Sequence, residues 1–371
     1  MTGHHGGDSP IRIASWPFAG TNHYIELFYR ALEPYGVRLI RGLRIEDAFL
    51  RDHAGEFDAI HIQWIPEDMW RGRGIGVAGR LYGVAGLWRY LALAKSLGLR
   101  ILWTVHDIEH LEGGGLADRC GYRLLARCAD LCICHSEWCR QQLLDRYGGR
   151  ASATFVIPIG NYDGVFPPPQ DRQNTLARLR LHEGRRTLLC HGLVRPYKGF
   201  DLAIEAVGRL GPDYQLIVAG NPQDSWWRER LRTLAAGSPN VALVLERLDD
   251  QTISDLADLA DCFLLPYRHI TGSGALLTAL TFERGVVASD LPYFRETLSP
   301  EPEAGVLFAP GHVEALAAAS RAFFAIPLNR RCAASRRLAD RYAWTQAITP
   351  IARWLQREFS LGFASAGAVN G

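Results

Sequence analysis

Residues His191–Leu210, HGLVRPYKGFDLAIEAVGRL, join a buried apolar run to an amphipathic helix. The preceding letters TLLC extend the apolar run into a strand, and GFDLAIEAVGRL has apolar residues at helical spacing. Between strand and helix the chain places Arg195 and Lys198, followed by Gly199. A strand-to-helix loop carries free backbone N–H groups and the positive end of the helix dipole, so cations in it favour an anion such as a diphosphate. An ordinary solvated loop is the alternative reading of these two residues.

The alternation of strand and helix continues on both sides of this stretch. Apolar segments such as IRIASW, FDAIHI, RILWTV, YQLIVAG and GVVASD are separated by helical segments. Apolar strands between helices indicate a parallel sheet that is covered on both faces. The run GVFPPPQDRQN interrupts the alternation with three consecutive prolines and predicts a domain boundary. We therefore predict an α/β fold with domains over 1–165 and 166–340, and a final helix with its tail over 341–371.

Composition limits the class of protein. A chain of 371 residues is long enough for two hydrophobic cores. A net charge of +2 argues against a general nucleic-acid binder, so no nucleic-acid partner is expected. The start, MTGHHGGDSPIRIASW, lacks the apolar core of a signal peptide, and no apolar run is long enough for a membrane span. We expect a cytoplasmic protein, with the inner face of the membrane as the alternative location.

A second loop strengthens the anion prediction. The segment YRHITGSGALLTAL places Gly272, Ser273 and Gly274 between a strand and a helix. Small residues there leave backbone N–H groups open to an anion at the helix N-terminus, although an ordinary tight turn would use the same residues. Two such loops at strand ends of one domain predict a single diphosphate site that also includes Arg195 and Lys198.

Two further patterns are interpreted as structural. GIGVAG, residues 74–79, matches G-x-G-x-x-G, but no strand precedes it and no acidic residue follows at the required distance, so we predict a glycine-rich loop. Several cysteines crowd around His135 without any C-x-x-C pair, and we therefore interpret ADLCICHS as a buried strand and predict no metal site there. The cysteines are Cys128, Cys132, Cys134 and Cys139.

Taken together, eight segments resemble the GT-B sugar-nucleotide glycosyltransferases, and among these the bacterial family 4-like enzymes and mannosyltransferases of exopolysaccharide assembly. The segments are NHYIELFYRAL, AIHIQWIPE, LWTVHDIEH, ADLCICHSEW, IPIGNYDGVFP, LVRPYKGFDLAIEAV, LADLADCFLLPY and TGSGALLTALTFERGVVASDLPYFRE. The resemblance implies two Rossmann-like domains that face each other across a cleft. It also implies that the C-terminal domain binds the nucleotide sugar, the N-terminal domain binds the acceptor, and the last helix crosses back to the first domain.

The same resemblance implies a hexosyltransferase that moves a hexose from a GDP- or UDP-sugar to an acceptor hydroxyl. A lipid-linked saccharide of a surface polysaccharide is the expected acceptor; a soluble small molecule is one alternative, and a noncatalytic sugar-nucleotide-binding or scaffold protein is another. No cofactor is expected beyond the donor substrate. The chain contains no Asp-x-Asp motif, which favours transfer without a metal ion.

The chain departs from the family at one motif. Many family 4 enzymes carry two glutamates in an E-x7-E motif around the glycine turn. Here the corresponding positions fall at Thr271 and at Ala279 or Leu280, so both glutamates are missing. Glu283 is close by, at a position where glycine is usual in the relatives. Lys198 matches the family pattern more directly than Arg195, which comes later than the family's arginine.

The first domain offers candidates for the reaction centre. His106 and Asp107 follow the strand RILWTV and should lie at the carboxyl edge of the sheet. An inverting transfer needs a base within hydrogen-bond reach of the acceptor hydroxyl, and Asp107 is the first candidate for it. His106 is the second candidate, and the resemblance implies that it could contact the transferred sugar instead.

Other candidate contacts lie at further strand ends. Glu246 and Arg247 follow the strand VALVL and are expected to flank the nucleoside. Asn22 and His23 follow the loop after the first strand, and Asn161 follows the last strand of the first domain. These three are predicted acceptor or sugar contacts, with a helix cap and hinge packing as the structural alternatives.

The segment 71–100 is basic and apolar. It contains six basic residues and no acidic residue, interleaved with Tyr82, Trp88, Tyr90 and leucines. A basic amphipathic helix of this kind can lie on an anionic membrane, which would suit a lipid-linked acceptor. The alternative is a helix that packs its leucines on the sheet and leaves the arginines in solvent.

Overall fold

The computed structural model describes residues 10–17, 23–64, 76–108 and 115–367, with side chains described as far as residue 359. Two compact units are present. The first consists of Met1–Ile159 together with Trp344–Gly371, and the second is Gly160–Ala343.

The described residues contain twelve strands and fifteen α-helices. The strands are β1 (Ile11–Trp16), β2 (Val37–Ile40), β3 (Ala59–Ile62), β4 (Arg100–Val105), β5 (Leu131–Cys134), β6 (Thr154–Val156), β7 (Arg186–His191), β8 (Tyr214–Ala219), β9 (Val241–Val244), β10 (Cys262–Leu265), β11 (Val286–Ser289) and β12 (Gly305–Phe308). The helices are α1 (His23–Leu32), α2 (Asp47–His53), α3 (Gly76–Ser96), α4 (Leu116–Cys128), α5 (Glu137–Tyr147), α6 (Arg172–Leu179), α7 (Phe200–Leu210), α8 (Ser225–Ala236), α9 (Asp250–Leu259), α10 (Gly274–Thr281), α11 (Pro292–Leu298), α12 (Val313–Ala325), α13 (Leu328–Arg341), α14 (Trp344–Ala347) and α15 (Thr349–Gly367).

Each unit is built on one six-stranded parallel sheet, which confirms the predicted α/β fold with two Rossmann-like domains. The strand order is β2-β1-β3-β4-β5-β6 in the first unit and β12-β11-β10-β7-β8-β9 in the second. In the second sheet the order reverses between β7 and β10, and in the first between β1 and β3. Ligands of such sheets bind at the carboxyl ends of the strands beside these reversals.

An aspartate opens a strand in the same way in both units. Before β5, Asp130 accepts a hydrogen bond from the backbone N–H of Ile101 in the neighbouring strand at 2.9 Å. Before β10, Asp261 accepts from the N–H of Thr187 at 2.8 Å. Each carboxylate satisfies a backbone donor at the sheet edge opposite the ligand-binding edge, so that edge is already occupied by structural contacts.

The proline run belongs to the second unit and does not separate the two. The Pro167 carbonyl accepts a hydrogen bond from the Ser254 hydroxyl at 2.6 Å, and the Pro168 carbonyl accepts from the Gln251 amide at 3.1 Å. Both partners lie on α9, so this stiff segment is fixed against a helix. The predicted boundaries after residues 165 and 340 compare with boundaries after Ile159 and Ala343 in the structure.

The C-terminal segment returns to the first unit, as predicted from the resemblance. The Trp344 ring packs edge-on against Tyr24, with centroids 5.4 Å apart, and against Phe28 at 6.1 Å. On α15, Glu358 forms an ion pair with Arg100 of β4 at 3.3 Å. The first unit is therefore completed by the last described helices of the chain.

The long helix α3 starts earlier than expected. The glycine-rich loop predicted for 74–79 is wrong from Gly76 onward, where the helix begins, and residues 74 and 75 lie outside the described residues. Buried Val84, Leu87 and Leu91 pack this helix into the core of the first unit, and extending an existing helix costs less than starting one. Among the described helices, none combines the length and the apolar character needed to cross a membrane.

Candidate active site

The quoted stretch His191–Leu210 lies at the reversal point of the second sheet. β7 ends at His191, and Val194 beyond it forms an isolated bridge with Pro222. A 3₁₀ turn over Pro196–Lys198 follows, and α7 begins at Phe200 as predicted. The two cations therefore lie in the loop between β7 and α7, beside the end of β10.

Two glycines let the backbones of neighbouring loops touch. Gly199 has φ +64°, and a Cβ there would lie 2.1 Å from the Pro266 carbonyl oxygen after β10. Gly220 has φ +144°, and its Cβ would lie 1.8 Å from the Gly192 carbonyl oxygen. No other residue fits such approaches, so the loops after β7, β8 and β10 form one rigid cradle.

Lys198 occupies the centre of this cradle. Its Nζ lies 2.9 Å from the point where a Cβ on Gly192 would stand, and 5.5 Å from the Tyr267 ring centroid. Burial, with a smaller contribution from the Arg195 cation, lowers the pKa of Lys198 to about 8. Among the ion pairs of the described residues, none includes Lys198 or Arg195. Their charge is thus available to a bound anion.

A residue that the sequence analysis did not select lies next to Lys198. His191 is buried, and neither ring nitrogen has a hydrogen-bond partner among the described residues. Its ring contacts Phe263 edge-on, with centroids 5.5 Å apart. Burial, together with the Lys198 cation, lowers its pKa to about 3, so this imidazole is neutral at physiological pH.

Arg268 ties the two predicted anion loops together and was also missed. Its guanidinium donates to Asp201 at 2.8 Å and to the Pro196 carbonyl, and its backbone N–H donates to the Tyr197 carbonyl at 2.7 Å. These bonds join the loop after β10 to the 3₁₀ turn that carries Lys198. The sequence around Arg268 gives no local signal for such a role, because the partner loop is about 70 residues away.

The glycine turn opens α10 as predicted. Ser273 is the N-cap, and its hydroxyl accepts a hydrogen bond from the Leu276 N–H at 3.3 Å. A Cβ on Gly274 would lie 2.7 Å from the Tyr162 hydroxyl, so glycine leaves room for this hydroxyl beside the helix N-terminus. Gly272 is partly exposed. The turn therefore combines a capped helix N-terminus with a small, open surface that an anion can approach.

The positions that correspond to the two missing glutamates are buried. Thr271 is buried at the turn, and Ala279 and Leu280 are fully buried in the body of α10. Glu283 is exposed, with φ +56°, beyond the other end of this eight-residue helix. An eight-residue helix is about 12 Å long, so Glu283 lies far from the glycine turn and cannot substitute for a carboxylate there.

Glu246 and Arg247 lie in the loop after β9, and both side chains are exposed. β9 is the edge strand of the second sheet, two strands from β7, which corresponds to about 10 Å. They share the carboxyl edge of the sheet with the diphosphate cradle. Their predicted role in flanking the nucleoside stays a prediction.

At the carboxyl edge of the first sheet, His106 lies directly after β4. Its ring stacks on Trp64 at 4.2 Å and contacts Tyr24 edge-on at 5.1 Å, and its Nε2 lies 3.4 Å from Oε1 of Gln63. Burial and two neighbouring histidines hold its pKa well below the ordinary value, so the ring is neutral. A neutral imidazole can accept or donate a hydrogen bond. Asp107 follows it and is partly exposed.

Two histidines that the sequence analysis did not assign to the site surround His106. His61 is fully buried, with Nδ1 2.8 Å from the Tyr29 hydroxyl and Nε2 2.8 Å from the Thr104 hydroxyl. The ring of His135, one residue after β5, lies 5.2 Å from that of His106. Because β4 and β5 pair in register up to their last residues, a histidine following each strand was a usable signal.

The structure describes two of the three residues predicted to contact the acceptor or sugar, His23 and Asn161. Asn22 lies outside the described residues, and His23 is the first residue of α1. Asn161 donates its side-chain amide to the Ala339 carbonyl and to Asp163, both at 3.0 Å, and its backbone N–H donates to the Tyr342 carbonyl at 2.9 Å. These bonds hold Asn161 against the end of α13 within the second unit, and its predicted contact with the acceptor or sugar stays a prediction.

The cysteine cluster is a buried strand, as interpreted. Cys132 and Cys134 lie within β5, and Cys139 on α5 is fully buried. Burial raises the pKa of the Cys132 thiol to about 12. In the part of the chain that the structure describes, no group of three or more His, Cys, Asp or Glu side chains could hold a metal ion.

Two family models match the chain. One, described as Glycosyl transferases group 1, covers residues 185–325 and therefore includes the lysine loop and the glycine turn. The other, Glycosyltransferase Family 4, covers residues 82–160, which include the strands that end at His106 and His135.

Similar proteins of known type agree with these matches. A GDP-mannose:glycolipid 4-beta-D-mannosyltransferase from Xanthomonas campestris pv. campestris is 26% identical over 273 residues, which is 73% of this chain and 71% of that protein. Among solved structures, Anabaena HepE in complex with UDP-glucose has a TM-score of 0.72 at 16% identity, over 93% of this chain and 99% of that one. Sucrose-phosphate synthase from Thermosynechococcus elongatus has a TM-score of 0.71 at 18% identity, over 95% and 100%. At these identities the structural likeness concerns the fold.

Proposed function

Since the chain is a GT-B glycosyltransferase of the family 4 type, we propose that it moves a hexose from a GDP- or UDP-sugar to a hydroxyl of a lipid-linked saccharide, without a metal ion. The observation that carries this proposal is the cradle at the reversal point of the second sheet. There Lys198 and Arg195, cations without carboxylate partners among the described residues, lie beside the loop that carries the glycine turn before α10.

The cradle suits a diphosphate that leaves. When the bond between the anomeric carbon and the diphosphate oxygen breaks, its electron pair stays on that oxygen and negative charge grows there. Lys198 and Arg195 would stabilise this charge, and the N-terminus of α10 at Ser273 and Gly274 would add backbone donors. These cations would supply the charge that a divalent metal supplies in other enzymes, which is why we propose transfer without metal.

In the first unit, we assign the acceptor hydroxyl to the edge that carries His106 and Asp107. Asp107 is the proposed base that takes the hydroxyl proton as the oxygen bonds to the anomeric carbon. Neutral His106 would hold a hydroxyl of the sugar by a hydrogen bond, because its lowered pKa makes it a weak base.

The proposed lipid-linked acceptor is supported by the outer face of α3. Val77 and Trp88 are 61% and 59% exposed, and with Leu81 they share one side of the helix, since spacings of four and seven residues return to the same side. The helix has no acidic residue, and Arg80 and Lys95 are exposed beside this face. An apolar, basic and exposed face is suited to an anionic lipid surface. The relative that acts on a glycolipid also supports such an acceptor.

The donor site is tested by thermal unfolding with GDP, UDP, ADP, dTDP and their sugars, with and without EDTA. A ligand specific for the folded protein raises the melting temperature as its concentration passes its dissociation constant. We expect the diphosphates of one nucleoside to raise the melting temperature by the same amount with and without EDTA. We expect this rise to be absent in Lys198→Ala. Similarity to the Xanthomonas enzyme, whose donor is GDP-mannose, suggests GDP, and similarity to the Anabaena complex with UDP-glucose suggests UDP. This panel decides between the two nucleotides.

The membrane contact is tested by flotation with vesicles of phosphatidylglycerol and phosphatidylcholine. We expect wild-type protein to float with anionic vesicles, and Trp88→Ser with Leu81→Ser to stay at the bottom of the gradient. Trp226→Ser is the matched control, because Trp226 is 67% exposed on α8 in the second unit. Equal flotation of the double variant would argue against contact through α3.

A further inference from the structure

His135 has one hydrogen-bonding atom that the described protein leaves unused. The side chain is buried, and its Nδ1 lies 2.8 Å from the Ile157 carbonyl oxygen. A carbonyl oxygen only accepts, so Nδ1 carries the proton and donates it. Nε2 then bears the lone pair, and it is buried with no hydrogen-bond partner among the described residues.

The lone pair faces the candidate reaction centre. Nδ1 is fixed on the side of β6, because Ile157 follows that strand, and the sheet order is β4-β5-β6. The centroid of the His135 ring lies 5.2 Å from that of His106, which follows β4 on the other side of β5, and 5.3 Å from that of Tyr24. A second unused atom lies in the same cluster, because Nε1 of buried Trp344, whose ring is 5.4 Å from Tyr24, also lacks a partner among the described residues.

The chemistry of the cluster selects a neutral hydroxyl. Burial lowers the pKa of His135 to about 4, so its Nε2 remains an acceptor throughout the physiological range. A cation at this lone pair would bring its charge among buried neutral rings, which desolvation opposes strongly. A hydroxyl group donates a hydrogen bond without that cost, and aromatic walls with few polar atoms are typical of small-ligand sites. Sugars supply such hydroxyls.

We propose that His135 is an acceptor-binding residue: its Nε2 accepts a hydrogen bond from a hydroxyl of the acceptor saccharide, beside His106. The inference rests on the proposed transfer of a hexose for the meaning of this contact. It extends the site for the acceptor saccharide from the end of β4 to the end of β5. The hydrogen bond from Nδ1 to the Ile157 carbonyl fixes the ring tautomer, so that Nε2 can accept a hydrogen bond.

The binding of a sugar can be measured directly. Octyl glucoside and octyl mannoside, below their micelle concentrations, are titrated into wild-type protein whose histidine side chains carry ¹⁵N. We expect the Nε2 resonance of His135 to move with saturation, because a lone pair that accepts a hydrogen bond changes its shift. A resonance that stays in place with both glycosides would overturn the proposal.

A pair of variants separates this contact from a structural role. The amide nitrogen of His135→Asn can replace Nδ1 towards Ile157 and nothing replaces Nε2, whereas the amide of His135→Gln reaches the Nε2 position and leaves Ile157 unpaired. We expect His135→Asn to bind the glycosides about tenfold more weakly, and His135→Gln to bind them within about threefold of wild type. The reverse ranking would mean that only the Ile157 bond matters, and would overturn the proposal.

Nucleotide binding provides the independent control. Calorimetry with GDP and UDP is run on wild type and both variants, and we expect the same affinity in all three. Absence of GDP and UDP binding in wild type would count against the proposed function, while the glycoside result would still decide the role of His135. Loss of nucleotide binding in His135→Asn alone would show a folding defect, and the movement of the His135 Nε2 resonance of wild-type protein with glycoside then decides.

Discussion

The carboxyl edges of the two sheets have the same architecture and opposite chemistry. At the edge of the second sheet, burial lowers the pKa of Lys198 to about 8, which leaves about nine in ten of these side chains charged at pH 7. At the edge of the first sheet, burial lowers the pKa of His61 to about 3 and that of His135 to about 4, which leaves both neutral. The same physical cause therefore yields a cation on one sheet and a neutral hydrogen-bonding cluster on the other.

This difference teaches how one fold can serve two substrates. A parallel sheet provides the same edge of strand ends and loops in both units, and the starting pKa of the side chain decides what burial makes of that edge. A buried lysine suits an anion such as a diphosphate, and a buried histidine suits a neutral hydroxyl. The following predictions test this division, from the largest expected effect to the smallest.

We call the carboxyl edge of the second sheet, which carries Lys198, the cationic edge. Gly220→Ala is the most severe test of the rigidity of its loops. A Cβ there would lie 1.8 Å from the Gly192 carbonyl oxygen, in a backbone conformation with φ +144°. We expect the free energy of unfolding to fall by about 4 kcal/mol or more, with loss of nucleotide binding, as measured by urea unfolding and calorimetry. Gly208→Ala is the control, because Gly208 lies within α7 with no atom near its Cβ; alanine there should stabilise by about 0.5 to 1 kcal/mol. Equal unfolding of Gly220→Ala and wild type would contradict the contact between these loops.

The charge itself is tested by Lys198→Met, which keeps the length of the side chain and removes the ammonium group. We expect kcat/KM for the nucleotide sugar to fall about 1000-fold, because a half-buried cation without a carboxylate partner among the described residues is lost at the leaving group. Arg232→Met is the control: Arg232 is exposed on α8, where its guanidinium lies 3.8 Å from Glu229, and its loss should leave kcat/KM within about twofold. A fall of less than tenfold in Lys198→Met would mean that the anion lies elsewhere.

The carboxyl edge of the first sheet, with its neutral histidines, is the neutral edge. It is tested by His106→Phe, which preserves the stacking on Trp64 and removes both ring nitrogens. We expect kcat to fall about 100-fold while the affinity for the nucleoside diphosphate stays unchanged, since this ring belongs to the first unit. His53→Phe, at a partly exposed position on α2, should change neither quantity. Weaker diphosphate binding by His106→Phe would break the division between the two edges.

The pH dependence of binding tests the same division with the smallest effect. The free ammonium of Lys198 loses its proton as the pH rises through about 8, and a bound anion favours the protonated form. Nucleoside diphosphate affinity should therefore fall about twofold between pH 7 and 8 and by up to tenfold per unit above pH 8, as measured by calorimetry. In Lys198→Arg the decline should be absent, because a guanidinium stays charged. A flat profile in wild type would contradict the lowered pKa.

Much of the fold and of the cationic edge could be predicted from local sequence. The alternation of apolar runs and amphipathic helices is a local signal, and so are the cations before Gly199 and the turn Gly272–Gly274. Both loops occur where the sequence places them, because strand ends and helix starts are set by neighbouring residues.

The neutral edge was predicted only in part, for a physical reason. His106 has a local signal at the end of a strand, whereas His61 and His135 acquire their roles through contacts between strands that are distant in the chain. Arg268 was missed for the same reason, since its partner Asp201 belongs to another loop. The burial that sets the pKa of Lys198 is likewise a property of the assembled loops.

The return of Trp344 to the first unit has a consequence for synthesis on the ribosome. The second unit is one continuous segment, Gly160–Ala343, and all of it has been made before Trp344 is added. Until then, Tyr24 and Phe28 lack the ring that packs against them. The unit that is synthesised first is therefore the unit that is completed last. During elongation its aromatic surface at Tyr24 and Phe28 stays uncovered while about half of the chain is made, and such transiently exposed surface is prone to aggregation.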